Sequence, residues 1–456
     1  MDPLPEPTVA ALDARLVTEQ AERRLPSIVA GLVRDGQLVW SAGAGEVDGQ
    51  TPGADTQYRI GSITKTLVAV CVLRLADEGE VDLDAPVTEY LEAPTGRATI
   101  AQLLAHASGL RAETAGPWWE RTTGGGYADL LGRLEDDPVP HPPGRRFHYS
   151  NVGYAILGEL VARTRGSDWQ TVVHDELLVP LRMARTTPRP QAPAAPGLAV
   201  HPHADVVLPE PEHHHGVMAP AGQLWSTVAD LARWAAFVAD PDHPAGLLSP
   251  ETHARLATPI VVDDRPGQAW TAAHGLGFQV WNRGGQRLVG HGGSMPGFLA
   301  GLQVDVETGD GVVLATNTTA GLGPDLATDL LVTLQEQVPQ RPAPWRPASG
   351  PLPVDLAGVW YWGPTPVAVH VEADGTLDLA AVPPALARAS RFTRIDDDTY
   401  RGLDAYDAGE LLRVVRGGDG APRWLDLASF VLTRTPYDPD AAVPGGVDPD
   451  GWRPQP

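Results

Sequence analysis

A serine followed three residues later by a lysine, Ser62 and Lys65 in RIGSITKTL, sets a hydroxyl within reach of an amine. At a helix start that spacing puts both side chains on one face, about one turn apart. Backbone N–H groups and the helix dipole there favour negative charge developing on the serine. The hydroxyl becomes a nucleophile only when something removes its proton. A lysine can do so where burial lowers its pKa towards neutrality. Of the 34 Lys and Arg residues, Lys65 is the sole lysine. Arginine keeps its proton in a protein, so it replaces lysine where charge suffices and fails where a lone pair is needed. Lys65 therefore reads as a site of proton transfer.

Ser-x-x-Lys is short enough to recur by chance, so its companions in the chain matter. FHYSNVGYAILGELV carries Tyr149, Ser150 and Asn151, with Tyr149 87 residues beyond Ser62. LVGHGGSMPGF carries His291, Gly292 and Gly293 at the end of an expected strand, with Ser294 directly after. A nucleophile helix, a Tyr-x-Asn loop and a strand ending in a basic residue plus glycines resemble the penicillin-binding-protein and class C β-lactamase-like serine hydrolases. LLAHASGL (103–110), PPGRRFHYSNVGYAILG (142–158) and APAGQLWSTVADLARW (219–234) match as well. The resemblance runs in order over roughly residues 8–336.

That resemblance implies roles. Ser62 would be acylated, with Lys65 and Tyr149 sharing the general-base work and Asn151 orienting the substrate amide and the lysine. His291 would stand where many relatives carry lysine. The backbone N–H groups of Ser62 and Ser294 would form an oxyanion hole, while Gly292 and Gly293 let the acyl group lie against the strand. Trp225 and Arg434 are weaker candidates for substrate contact. No cofactor or metal is implied. The implied fold is an α/β (α+β) β-lactamase/transpeptidase-like fold. It has an antiparallel sheet flanked by helices, an all-helical insertion and a C-terminal lipocalin-like antiparallel β-barrel.

The elements that must hold these residues follow from pattern. Residues 8–24 have apolar positions at helical spacing. SIVAGLVRDGQLVWSAGAGEVDG alternates about Asp35-Gly36, a hairpin signal. A helix starts near Ser62 and stops at Gly79. Residues 80–225 are mostly helical patterns and Pro/Gly-rich loops. Strand patterns return between about 274 and 318, and PDLATDLLVTLQEQV closes the unit as a helix. Residues 1–337 thus form one domain, 338–353 a Pro-rich linker, 354–436 a small antiparallel barrel or sandwich, and 437–456 an irregular tail.

A net charge of −23 disfavours nucleic acid and anionic membranes as partners. No apolar run reaches the roughly 18 residues of a membrane span. The opening MDPLPEPTVAALDARL lacks a basic segment followed by an apolar one, and the single cysteine, Cys71, fits a reducing compartment, so a cytoplasmic location is expected. Cys71 reads as a buried core thiol. HPHADVVLPEPEHHHG reads as a surface loop near the cleft rather than a zinc site, because ordered ligand spacing is absent. His106 reads as a structural hydrogen-bonding residue. Trp118 and Trp119 suit either an acyl pocket or a core cover.

Three catalytic readings compete. A D-Ala-D-Ala carboxypeptidase or β-lactamase conflicts with the expected location and with His291 replacing a fixed cation. A cytoplasmic esterase or D-aminopeptidase fits without predicting anything specific. The whole chain is most similar in layout to the stand-alone penicillin-binding-protein-type thioesterases. These join such a domain to a lipocalin-like one and cyclise nonribosomal peptides. That reading implies a peptidyl thioester substrate on a carrier protein and release by macrolactamisation or hydrolysis. A non-catalytic binding protein is disfavoured because the catalytic set is complete.

Overall fold

A computed structural model describes residues 3–134, 136–342, 344–383 and 389–438. Most of the expected irregular tail, 439–456, lies outside the described residues. Contacts divide the chain into Met1–Gln340 and Arg341–Pro456.

The first unit is built on an antiparallel sheet. Its strands are β1 (Ser27–Arg34), β2 (Gln37–Gly45), β3 (Val261–Val262), β4 (Ala272–His274), β5 (Gln279–Arg283), β6 (Gln286–Met295), β7 (Phe298–Asp305) and β8 (Gly311–Thr316). They lie in the order β2-β1-β8-β7-β6-β5-β4-β3. The β1–β2 hairpin turns at Asp35 and Gly36, which both have positive φ, the conformation such two-residue turns demand. Every residue of β1 is buried, so Ile28 to Val33 form an unbroken apolar run rather than the expected alternation. The two-residue side-chain period still sorts it into layers. Ile28, Ala30 and Leu32 face α1 (Glu6–Glu22) and the closing helix Leu326–Gln337, meeting Leu12, Leu16, Leu326 and Leu330. Val29 and Val33 face the larger core, which contains α2 (Thr64–Asp77) and α3 (Asn151–Arg165).

α2 is apolar around nearly its whole circumference and is buried accordingly, from Thr64 to Leu73. Its thiol, Cys71, is 1% exposed, as expected of a core residue. α3 is capped at Ser150, whose Oγ accepts from Gly153 N–H at 3.0 Å, and ends at left-handed Gly166.

The second unit is a closed barrel of eight antiparallel strands, each paired with its sequence neighbour, and the first with the last. They run from Gly358–Trp362 to Phe430–Thr433. Ser390–Arg394 and Thr399–Gly402 were not legible as strands, and the acidic run Asp396–Asp398 turns between them. Trp360, Phe392, Tyr400, Leu412 and Leu425 fill the interior at 0% exposure. Arg434 belongs to this barrel rather than offering a free cation to substrate. Its guanidinium lies 3.8 Å from the Trp360 ring centre and donates to the carbonyls of Ala357 and Asp355.

One buried ion pair ties the edges of the first unit's core. Arg34 Nε and Nη2, ending β1, donate to Asp310 Oδ1 and Oδ2 at 2.7 and 2.6 Å, just before β8. Asp310 is completely buried. Arg34→Ala should therefore destabilise the unit by about 3–5 kcal/mol, since it leaves a buried carboxylate without its partner. Urea unfolding followed by tryptophan fluorescence measures this, and a loss below about 1 kcal/mol would contradict it.

Candidate active site

Ser62 lies two residues before α2, in a 3-10 turn at Gly61–Ile63 that runs directly into the helix. Gly61 has φ +50°, and a Cβ there would stand 2.5 Å from Ser294 N. Across the contact, a Cβ on Gly293 would meet Ile60 O at 2.0 Å. Only two glycines allow the backbones of the serine turn and β6 to touch this closely. Ser62 and Ser294 consequently line one cleft of about 570 Å³, with Gly292 and Gly293 on its wall. Gly61 escaped the sequence reading, although a glycine directly before a candidate nucleophile was a usable signal.

Lys65 is 0% exposed. Its Nζ lies 3.0 Å from Ser62 Oγ and donates to Ala221 O at 2.6 Å. The Tyr149 and Tyr154 rings lie 5.0 and 5.6 Å away. Burial pulls the amine down to about 7, against the upward pull of Glu113 and Glu120. At neutral pH the amine is therefore available in both forms, and its uncharged form can accept the Ser62 proton.

Tyr149 is held by a lattice of loop contacts. Ser150 N–H donates to His106 Nδ1 at 3.0 Å, Asn151 N–H to Ala112 O at 2.9 Å, and His148 N–H to His106 O at 2.8 Å. The His106 ring stacks on Tyr149 with centroids 4.0 Å apart, which gives His106 the structural role expected of it. Burial pushes the Tyr149 phenol up, and its hydrogen bond with Ser62 works weakly the other way. The phenol keeps its proton through the neutral range, so it can relay one but not begin by taking one.

His291 is 2% exposed and burial lowers it to about 3, with Lys65 adding to the effect. Its Nδ1 bonds Gly292 O at 2.5 Å while Nε2 has no partner. His274, whose ring is 6.3 Å away, is lowered to about 4. The strand end that reads as basic therefore presents a neutral imidazole.

Asn151 lines the cleft, but its Nδ2 donates to Glu113 Oε1 at 2.7 Å, and the described bonds of Lys65 do not include it. Trp225 stands behind the cleft wall, 3% exposed and 5.0 Å from the Phe298 ring. Glu113 and Glu120 were missed because they lie in an irregular loop with no recognisable spacing. The adjacent tryptophans divide. Trp119 is buried and donates to Glu113, while Trp118 is exposed and donates to Glu120. In the histidine-rich stretch, His215 is buried edge-on to Trp119 rather than lying in a surface loop. Among the described residues no group of three or more His, Cys, Asp or Glu is placed to hold a metal ion.

Three outcomes follow for a chromogenic ester such as p-nitrophenyl acetate. Because the reactive amine form is the one without a proton, acylation should rise with pH through about 7. It should fall about tenfold per unit below about pH 6. Lys65→Arg should lower it by about 10²-fold or more, and wild-type rates at pH 5 or in that variant would refute the assignment. Gly61→Ala, which forces the serine turn off β6, should reduce acylation by about 10-fold to 10²-fold while the protein still binds the ester. An unchanged rate would show that the glycine contact does not set the geometry.

A family model described as Beta-lactamase matches residues 12–337. A second, described as a domain of unknown function (DUF7586), matches 351–434. The human protein named beta-lactamase-like 1 is 29% identical over 356 residues, 72% of this chain and 68% of its own. Penicillin-binding protein 4 of Amycolatopsis lactamdurans is 28% identical over 327 residues, 66% of this chain and 83% of its own. Among solved structures, SurE superposes with a TM-score of 0.61 at 26% identity, covering 94% of this chain and 99% of its own. SurE has also been solved with D-Leu. The eight-stranded sheet, its helical insertion and the Ser62–Lys65–Tyr149 cluster all lie within the matched residues, and the chain belongs to the beta-lactamase family of serine hydrolases.

Proposed function

We propose that this chain is a serine acyl-transfer enzyme that releases a peptide from a thioester as a macrolactam. Uncharged Lys65 takes the proton of Ser62 Oγ, which attacks the thioester carbonyl. The oxyanion forms against the N–H groups of Ser62 and Ser294. Collapse breaks the C–S bond, and the proton held by Lys65 leaves with the thiol through the Tyr149 phenol. The peptide's own amine then attacks the acyl-enzyme. A C–N bond forms, the ester C–O bond breaks, and Ser62 recovers its proton. A carrier protein of a nonribosomal peptide synthetase would deliver the thioester, in the cytoplasm. Among the described residues no helix is long and apolar enough to cross a membrane.

The neutral imidazole at His291 carries this reading. An enzyme that cleaves beside a free substrate carboxylate needs a fixed cation at that place, and an imidazole lowered to about 3 supplies none. A thioester offers no such carboxylate. The closed barrel that follows the hydrolase unit supports the thioesterase layout over a single-domain hydrolase. A second reading, hydrolysis that frees a D-configured residue, draws on SurE having been solved with D-Leu.

The test is a peptidyl N-acetylcysteamine thioester with a D-configured C-terminal residue, its products separated by mass spectrometry. Cyclic product from the wild type, and none from Ser62→Ala, is the expected outcome. Linear acid alone would replace cyclisation with hydrolysis. Turnover surviving in Ser62→Ala would end the acyl-enzyme mechanism.

A further inference from the structure

Glu120 lines the cleft together with Ser62, Tyr149 and Asn151. It is half-buried and takes part in no ion pair among the described residues. The neighbouring cations are engaged elsewhere. Arg121 pairs with Glu210 at 2.6 Å and lies over the Trp118 ring at 4.5 Å. Arg59 is buried and donates to Gln223 Oε1 and His213 O. Lys65 and Arg59 reach the Glu120 charge through space but form no bond to it, so a carboxylate beside the nucleophile keeps one oxygen unclaimed.

The two carboxylates near the site differ in what they leave open. Glu113 accepts from Trp119 with one oxygen, at 2.6 Å, and from Asn151 with the other, at 2.7 Å. Glu120 accepts from Trp118 Nε1 at 2.7 Å through Oε2, and no described hydrogen bond reaches Oε1. Because the Asn151 amide group donates to Glu113, the carbonyl oxygen of Asn151 remains as an acceptor on the cleft wall. His291 adds an independent observation. With Nδ1–H turned to Gly292 O, its Nε2 is a buried lone pair without a donor, on a side chain that lines the same cleft. The walls are thus rich in acceptors, and the ligand they fit carries several N–H donors and a positive charge. An ammonium group has three such donors.

We infer that Glu120, together with the Asn151 carbonyl oxygen, receives the ammonium group of the acyl acceptor and takes a proton from it, so that amines outcompete water and alcohols in releasing the acyl-enzyme. This rests on the acyl-transfer reading above and names the residues that receive its amine. The acceptor arrives as R–NH3+, and one proton passes to the Glu120 carboxylate, freeing the nitrogen lone pair. Nitrogen attacks the ester carbonyl of acyl-Ser62, the C–N bond forms and the C–O bond to Ser62 breaks. A second amine proton returns to Ser62 Oγ by way of Lys65, and Glu120 gives its proton to water. Burial holds the Glu120 carboxyl above the usual carboxylate range, which makes it a stronger proton acceptor than an exposed glutamate.

The experiment uses p-nitrophenyl acetate as acyl donor with n-butylamine and 1-butanol as competing acceptors of the same shape. The ratio of N-butylacetamide to butyl acetate, corrected for the reaction without enzyme, is internal to each preparation and does not depend on the folded fraction. The wild type should favour the amide. Glu120→Gln should lower the ratio by about tenfold or more, and Glu120→Asp should recover part of it. An unchanged ratio in Glu120→Gln, or a wild type without preference, overturns this inference while the nitrophenol burst leaves acyl transfer intact. A wild type with no burst beyond that of Ser62→Ala overturns the acyl-transfer reading itself, and this one with it.

Discussion

An amine removed from water is the constraint on which this structure turns. A lysine completely buried in protein cannot keep its charge at ordinary cost, and every layer around Lys65 bears on that cost. α2 is buried from Thr64 to Leu73, so the Lys65 amine meets the cleft only past Ser62 and Tyr149. The groups placed close by are phenols and imidazoles, which carry dipoles but no charge: Tyr149, Tyr154, His106, His274 and His291. Lys65 in turn helps keep the three imidazoles neutral. Glu113 and Glu120 pull the other way. The outcome is a group poised near neutrality, set by solvation first and by charge second.

Much of this was legible because chemistry restricts residue choice more tightly than packing does. One lysine among 34 basic residues was informative because no arginine can share its function. The same held for the Tyr-x-Asn loop and the His-Gly-Gly strand end. The sheet was readable where strands are long, as in β1 and β6 to β8. It failed at β3 and β4, whose two and three residues give no period to detect. Ser390–Arg394 and Thr399–Gly402 escaped for a related reason, since their inward positions include Ser390 and Gly402, leaving one large apolar residue in each, Phe392 and Tyr400.

The misplaced residues share a cause. Trp225 and Arg434 were plausible substrate contacts by type, yet type says nothing of direction. Trp225 points into the core against Phe298, and Arg434 closes the barrel over Trp360. Glu113 and Glu120 carry the opposite lesson, because their positions depend on how an irregular loop folds back beside α3. No spacing rule reaches such a loop.

The contact between Gly61 and Gly293 has an implication for how this scaffold can diversify. The main-chain amides of Ser62 and Ser294 are brought to one cleft by two backbones lying against each other. The residues that alternate with this contact on β6, Gly292 and Ser294, are exposed. A side chain added at 292 would meet only Gln279 Oε1, at 3.9 Å, and the Ser294 side chain can change without disturbing the contact. The cleft wall can therefore change by ordinary substitution around a fixed backbone contact, and positions 61 and 293 are the pair that such change must leave alone.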